Sequence, residues 1–179
     1  MSYTLYYYVT DAYIEDTDDE VTGWANGAGD YTTATIAPGT GYWYKLPNNA
    51  STFTLPGQVL DAESVTKDVF GNNKFNLVGN PYPMSLNLAK VKTTVTPTTF
   101  AKRRNGAVEL QVWNGVGYTY YYYVTDAYVE ETDDEVTGWA NIAGDYVDET
   151  GADINYGLWM RSYGADGKVS FFKDAPVAD

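Results

Sequence analysis

Two stretches of this chain are almost identical, and this internal repeat constrains the fold more than any other feature of the sequence. Residues 6–31 and 121–146 share 23 of 26 letters at a constant spacing of 115 positions. Weaker similarity extends the repeat, because GYWYKL corresponds to GLWMRS and STFTL corresponds to VSFFK. The sequence therefore predicts two related arms, residues 3–59 and 118–177, around a central segment, residues 60–117, that occurs once.

This arrangement leaves two domain organisations open. The chain, residues 1–179, could form a single β domain with paired arms, or it could hold a half unit, residues 1–70, followed by a full unit, residues 71–179, of a tandem array. In the second case the first arm lacks its neighbouring strand, and its edge at residues 5–9 is open. An open strand edge pairs readily with another chain, so this edge is a candidate site for homo-oligomer formation.

The residue pattern favours strands throughout. Tyr, Thr and Val dominate SYTLYYYVTDAY, and KFNLVG, VELQVW, GYTYYYYV, GLWMRS and KVSFF have the same character. Turn formers such as APGTG, FGNN, GNPYP and WNGVG separate these runs. Many short strands with such turns predict an all-β fold, either an antiparallel β-sandwich or, alternatively, a β-barrel. SLNLAKVKT is the best helix candidate, and we expect no more than two turns there.

Charge and composition exclude several classes of function. The 11 basic against 24 acidic residues give a net charge of -13, which repels nucleic acid and anionic lipid. Without an apolar run of about 20 residues, membrane insertion is not expected. The sequence has no Cys and no His, which removes thiolate nucleophiles, Ser-His-Asp triads and the usual zinc ligands. We therefore predict that the protein is not an enzyme.

An acidic stretch occurs in each copy of the repeat. Many carboxylates close together supply the oxygen ligands that Ca²⁺ requires, although the spacing departs from that of an EF-hand loop. A solvated loop that keeps the protein soluble explains the same residues, and no cofactor other than Ca²⁺ is expected. The candidate Ca²⁺ ligands are Asp16, Asp18, Asp19, Glu131, Asp133 and Asp134.

Tyrosines recur at alternate positions of the first strand in each copy. Leu5, Tyr7 and Val9 are expected to face the core, which leaves Tyr6 and Tyr8 on the wetter face. Exposed aromatic rings can stack on the apolar faces of sugar rings, whereas the same residues can also form a cross-strand ladder inside a sandwich. The candidate ligand-binding residues, for a glycan or a protein, are Tyr6, Tyr8, Tyr121, Tyr123, Trp24 and Trp139.

A basic cluster lies in the central segment and contains 5 of the 11 cations. Such a run is usually a solvated surface, and docking against an acidic loop of the same or a neighbouring molecule is the alternative. A contact of that kind weakens with salt. The cluster consists of Lys90, Lys92, Lys102, Arg103 and Arg104.

Three motifs support a resemblance to known repeat modules. IAPGTGYWYKL from Ile36, FNLVGNPYP from Phe75 and VWNGVGYTYY from Val112 contain IxPGxGYW, NPYP and WNGxGY elements. This set resembles the β-rich repeat modules of large secreted and surface proteins from Bacteroidetes-like and Verrucomicrobia-like bacteria. The resemblance implies an extracellular or cell-surface location and a structural, adhesive or ligand-binding role without catalytic residues. A carbohydrate-binding module with an exposed tyrosine ladder is the alternative function.

Overall fold

The computed structural model describes residues 4–42, 45, 60–147, 154 and 158–174. Strands make up 50% of the structure and helices 7%, so the prediction of an all-β fold is confirmed. The chain divides into two compact units, Met1–Ile36 and Ala37–Asp179. In the described part of the chain, no helix has the length and apolar character needed to cross a membrane.

The first unit is built on one antiparallel hairpin, which we call the first hairpin. Strand β1, Tyr7–Ile14, pairs with strand β2, Asp19–Ala25, and the register shifts at a bulge between Val9 and Ala12. The connecting turn is closed by the backbone N–H of Asp18, which donates to the carbonyl oxygen of Ile14 at 2.9 Å. Asp18 has a φ of 58°, a left-handed conformation that Asp tolerates better than most residues.

The second unit contains two antiparallel sheets. One sheet has three strands in the order β3-β10-β5, and the other has five in the order β4-β9-β6-β7-β8. Among the described residues no sheet closes on itself. We call the pair β7 and β8 the second hairpin, because it is the repeat of the first. The strands are β3 Ser64–Val69, β4 Lys74–Val78, β5 Val91–Thr93, β6 Val108–Trp113, β7 Tyr118–Val129, β8 Asp134–Ala140, β9 Leu158–Ser162 and β10 Gly167–Phe172.

The inner faces of these two sheets share one hydrophobic core, as expected of a sandwich. Alternation along each strand selects the core residues: β6 contributes Leu110 and Val112, and β10 contributes Val169 and Phe171. The other large core side chains include Val69, Val78, Leu86, Leu88, Val91, Tyr121, Trp139, Ile154, Leu158 and Met160.

The outer face of the five-stranded sheet is also covered in part. The chain between β5 and β6 forms a 3₁₀ turn, Phe100–Lys102, and the short helix α1, Arg103–Gly106. Phe100 packs against a second, smaller cluster of buried residues, most of them on β7 and β8. That cluster consists of Ala107, Tyr122, Val124, Ala127 and Ala140.

Most of the predicted strands are confirmed. SLNLAKVKT forms one 3₁₀ turn, Leu88–Lys90, and then enters β5, which agrees with the expected limit of two turns. SVTKDV and both copies of DEVTGWA are strands that the sequence pattern did not predict. STFTL and half of GYWYKL lie outside the described residues. Whether the chain is one domain or a half unit plus a full unit stays a prediction.

Candidate functional site: the two aromatic hairpins

The two hairpins have the same local structure. In the first, Tyr7 pairs with Ala25, and in the second the equivalent residue Tyr122 pairs with Ala140. The second hairpin also repeats the bulge and the turn, where Asp133 has a φ of 59°. The residues of the repeat are therefore sufficient to specify the hairpin itself, independently of its surroundings.

Within the described part of the chain, only the second hairpin is joined to a further strand. Strand β6 pairs with β7, which places Val108 opposite Tyr123 and Leu110 opposite Tyr121. Among the described residues, β1 pairs with no strand except β2. As a consequence β7 begins at Tyr118, whereas the equivalent residues 4–6 before β1 are not in a strand.

The inner face of the second hairpin lies in the core. Tyr121 is 6% exposed, but its counterpart Tyr6 is 44% exposed. Trp139 is buried, and its indole Nε1 donates a 2.9 Å hydrogen bond to the carbonyl oxygen of Val91. Identical residues thus form core in one copy and surface in the other.

The outer face differs in the same way. Tyr122 is 3% exposed and lies edge-on to Phe100, with 6.2 Å between ring centroids, whereas its counterpart Tyr7 is 51% exposed. The backbone N–H of Phe100 donates to Oδ1 of Asp126 at 2.6 Å. Gly144 lies beside this ring, since a Cβ there would be in ordinary contact with it at 3.4 Å, and its φ of 104° favours glycine.

The first hairpin has an open groove where the second holds Phe100. Tyr7, Asp11 and Gly29 line this groove, and they are the counterparts of Tyr122, Asp126 and Gly144. A Cβ on Gly29 would have no atom of another residue within 4 Å. The groove on the first hairpin is therefore the open equivalent of the Phe100 site.

The structure divides the six candidate ligand-binding residues between surface and core. Tyr8 is 65% exposed and packs edge-on against the half-buried Trp24, with 5.4 Å between ring centroids. Tyr6 is also exposed, whereas Tyr121 and Trp139 are buried and Tyr123 is half-buried. An exposed tyrosine ladder is therefore present in the first hairpin alone among the described residues, and its ligand binding stays a prediction.

The predicted core face of the first strand is not buried in the first hairpin. Leu5 and Tyr7 are 59% and 51% exposed, although the alternation pattern assigned them to the core face. In the second hairpin the principal core receives Tyr121 and Tyr123, the counterparts of the residues expected to face solvent. In the five-stranded sheet, the face that packs against the three-stranded sheet is therefore the one that the alternation pattern ranked as wetter.

In the turn of each hairpin, one acidic side chain accepts a hydrogen bond from a tyrosine hydroxyl. The hydroxyl of Tyr13 donates to Oδ1 of Asp18 at 2.8 Å, and that of Tyr128 donates to Oδ1 of Asp133 at 2.8 Å. These hydrogen bonds raise the pKa of both tyrosines above the usual value.

The six candidate Ca²⁺ ligands are exposed, and they do not all lie in a loop. Asp19 and Asp134 are the first residues of β2 and β8. Asp16 and Glu131 lie in the preceding turns. Within the described ranges, no group of three or more acidic side chains is arranged to hold a metal ion.

A buried carboxylate on the outer face was not predicted. Glu109 is 3% exposed, and its two oxygens accept hydrogen bonds from Nε2 of Gln111 at 2.7 Å and from the hydroxyl of Tyr163 at 3.0 Å. The guanidinium of Arg161 lies 4.7 Å from the ring centroids of both Tyr163 and Phe75. Burial, together with Glu109, raises the pKa of Tyr163. The alternation in VELQVW places Glu109 on the outer face, but residues that bury it, such as Tyr163, lie far along the chain.

Comparison with protein-family models, with curated proteins and with solved structures finds no match to this chain.

Proposed function

We propose that this chain is a non-enzymatic module of an extracellular or cell-surface protein, with a structural or adhesive role. One observation carries the proposal: the same hairpin is an integral part of a sandwich in one copy and presents its aromatic residues to solvent in the other. Exposed apolar patches on soluble proteins commonly mark interaction sites. The exposed aromatic surface of the first hairpin is the part of the molecule best suited to hold a neighbour.

The buried polar groups of the second unit support a structural role for that unit. Glu109 is hydrogen-bonded at both oxygens, by Gln111 of the same strand and by Tyr163 just beyond the end of β9. These hydrogen bonds offset part of the cost of burying the carboxyl group.

A second candidate function is carbohydrate binding by the first hairpin. Tyr8 is the most exposed tyrosine of the repeat, and its ring is held by Trp24. Aromatic rings fixed in this manner can stack on sugar faces, while nearby carboxylates accept hydrogen bonds from sugar hydroxyls. Tyr6 and Tyr8 would be the stacking residues, without help from the buried Tyr121.

A glycan array distinguishes the two candidates. Wild type is compared with a Tyr6→Ala, Tyr8→Ala double variant and with Thr22→Ala as the matched control. Thr22 is exposed, and its counterpart Thr137 stays exposed in the docked hairpin. The structural role predicts no sugar binding by any of the three proteins. Sugar binding that the double variant loses and Thr22→Ala retains would instead establish the carbohydrate-binding function.

Two further measurements test the rest of the proposal. A broad glycosidase screen should show no turnover, and hydrolysis by purified protein would contradict the non-enzymatic assignment. Antibody raised against this chain should label intact cells of the source organism before they are permeabilised. Labelling that requires permeabilisation would contradict the surface location.

A further inference from the structure

The second hairpin is held by one continuous stretch, residues 98–113, which we call the docking segment. It begins with Thr98, whose carbonyl oxygen accepts a 3.0 Å hydrogen bond from the backbone N–H of Thr125. Phe100 then covers Tyr122 on the outer face, and β6 pairs along the free edge of β7. Residues spread over this stretch of 16, counted from 98 to 113, thus contact one edge and one face of the hairpin.

Most of these contacts have an identical counterpart in the first hairpin. Tyr6, Tyr7 and Tyr8 correspond to tyrosines that β6 and Phe100 contact, and Asp11 corresponds to the acceptor of the Phe100 N–H. One residue of the paired edge differs, since Tyr120, which lies opposite Gln111, is Leu5 in the first hairpin. The other large difference is Gly27 against Ile142, which is 68% exposed. The first hairpin thus keeps most of the groups that the docking segment contacts in the second.

The groove beside Tyr7 gives the interaction a specific shape. It is open in the first hairpin, and in the second the same position is filled by the ring of Phe100. An occupant must therefore supply an aromatic side chain together with a backbone N–H directed at Asp11. The docking segment supplies both groups in the correct relation to strand β6.

Charge favours the same occupant. Residues 1–36 contain seven carboxylates and no Lys or Arg, which gives a net charge of -7. The docking segment contains Lys102, Arg103 and Arg104 against Glu109, for a net charge of +2 from three cations and one anion. Opposite charge accelerates encounter and opposes wrong partners of like charge.

We propose that the first hairpin binds a second copy of the docking segment, supplied by a neighbouring copy of the repeat, in the register that β6 adopts against β7. The added strand pairs with residues 4–8 and its phenylalanine enters the groove beside Tyr7. This inference rests on the proposed structural role, because it names the partner through which copies of the module join. In the intact chain the docking segment is already bound to the second hairpin, so an isolated peptide with its sequence is the appropriate probe.

The test uses a fluorescein-labelled peptide of residues 97–114 and the intact 179-residue chain. Fluorescence anisotropy measures binding, and amide hydrogen exchange followed by NMR locates it. We expect saturable binding and new protection of amides between Thr4 and Asp11. Raising NaCl from about 0.05 M to about 0.5 M should weaken binding, since the screening length falls severalfold.

Matched variants on both sides make the result specific. Tyr7→Ser in the protein and Phe100→Ala in the peptide should each weaken binding at least about tenfold, because each removes an aromatic ring from the centre of the interface. Thr22→Ala in the protein and Asn105→Ser in the peptide should leave affinity within about twofold, as expected of exposed positions. Tyr7 is exposed in the free chain, so its replacement should leave the second unit folded, which far-ultraviolet circular dichroism checks.

Three results would overturn the inference. The first is an absence of binding at about 1 mM peptide, a concentration at which weak interactions are detected. The second is binding that Tyr7→Ser does not weaken. The third is protection of residues 4–9 without peptide, through dimers of the first hairpin. Sugar binding in the glycan array would defeat the structural role while leaving the peptide result unchanged, so the two proposals fail separately.

Discussion

The indole nitrogen of Trp139 donates a 2.9 Å hydrogen bond to the carbonyl oxygen of Val91, and this bond joins the two sheets of the sandwich. Trp139 lies on β8 of the five-stranded sheet, and Val91 is the first residue of β5 in the three-stranded sheet. Both residues are buried. The contact explains how the hairpin of the repeat is built into the sandwich rather than attached to its surface.

Replacing Trp139 by Phe should lower the free energy of unfolding of the second unit by about 2–4 kcal/mol. The smaller ring leaves a cavity, and the carbonyl of Val91 loses its buried donor. The matched variant Trp24→Phe should cost less than about 1 kcal/mol, since Trp24 is half-buried. Urea unfolding followed by circular dichroism measures both values. Equal losses for the two variants would contradict the different environments of the hairpins.

A second matched pair tests the Phe100 site. Asp126→Ala should lower the free energy of unfolding by about 1–3 kcal/mol, because it leaves the backbone N–H of Phe100 without its acceptor. Asp11→Ala, at the exposed counterpart, should change it by less than about 0.5 kcal/mol. Thermal and urea unfolding of both variants check this prediction. A large loss in Asp11→Ala would show that the first hairpin already has an equivalent contact.

Stability should fall at alkaline pH. Burial raises the pKa of Tyr121, Tyr122 and Tyr163 above the ordinary value of 10.0. Below about pH 10 these hydroxyls are protonated in both states, and above it the unfolded chain loses the protons first. The free energy of unfolding should therefore be steady up to about pH 10 and then decrease. Urea unfolding at about half-unit pH steps measures this, and Tyr122→Phe should reduce the alkaline loss. A stability that rises above pH 10 would reverse the expected sign.

Calcium should leave the melting temperature unchanged. Asp18 and Asp133 each accept a tyrosine hydroxyl, and among the described carboxylates no group of three is arranged around a common point. A ligand that binds only the folded state raises the melting temperature with its concentration. Differential scanning calorimetry with about 5 mM CaCl₂ and then with chelator makes the comparison, at a concentration well above the Kd of most extracellular Ca²⁺ sites. A rise with Ca²⁺ that the chelator reverses would establish the predicted site.

The local elements of the fold were predictable because they depend on short-range pattern. KFNLV and VELQVW alternate apolar and polar residues between turn formers, and both are strands in the structure. DEVTGWA escaped prediction because its acidic start resembles a loop and the large apolar residues behind it, Val21 and Trp24 in the first copy, do not alternate. There the pairing with the preceding strand outweighs the weak strand preference of Asp and Glu.

The environment of the tyrosines could not be predicted from the repeat. Tyr6 and Tyr121 are each followed by the same seven residues, yet one is surface and the other is core. Their difference comes from sheet packing: β7 pairs with β6, and the five-stranded sheet places Tyr121 in the principal core, whereas Tyr6 is in neither buried cluster of the described residues. Burial in a sheet is a long-range property, and the repeated letters contain no information about which copy is covered.

Amide hydrogen exchange of the intact chain, followed by NMR, tests whether the strand edge is covered in the second hairpin and open in the first. We expect slow exchange, close to the limit set by global unfolding, for those amides of residues 118–123 that face β6. We expect fast exchange for the equivalent amides of residues 4–8, because no strand among the described residues covers that edge. Equal protection of the two sets in dilute, monomeric protein would contradict this expectation.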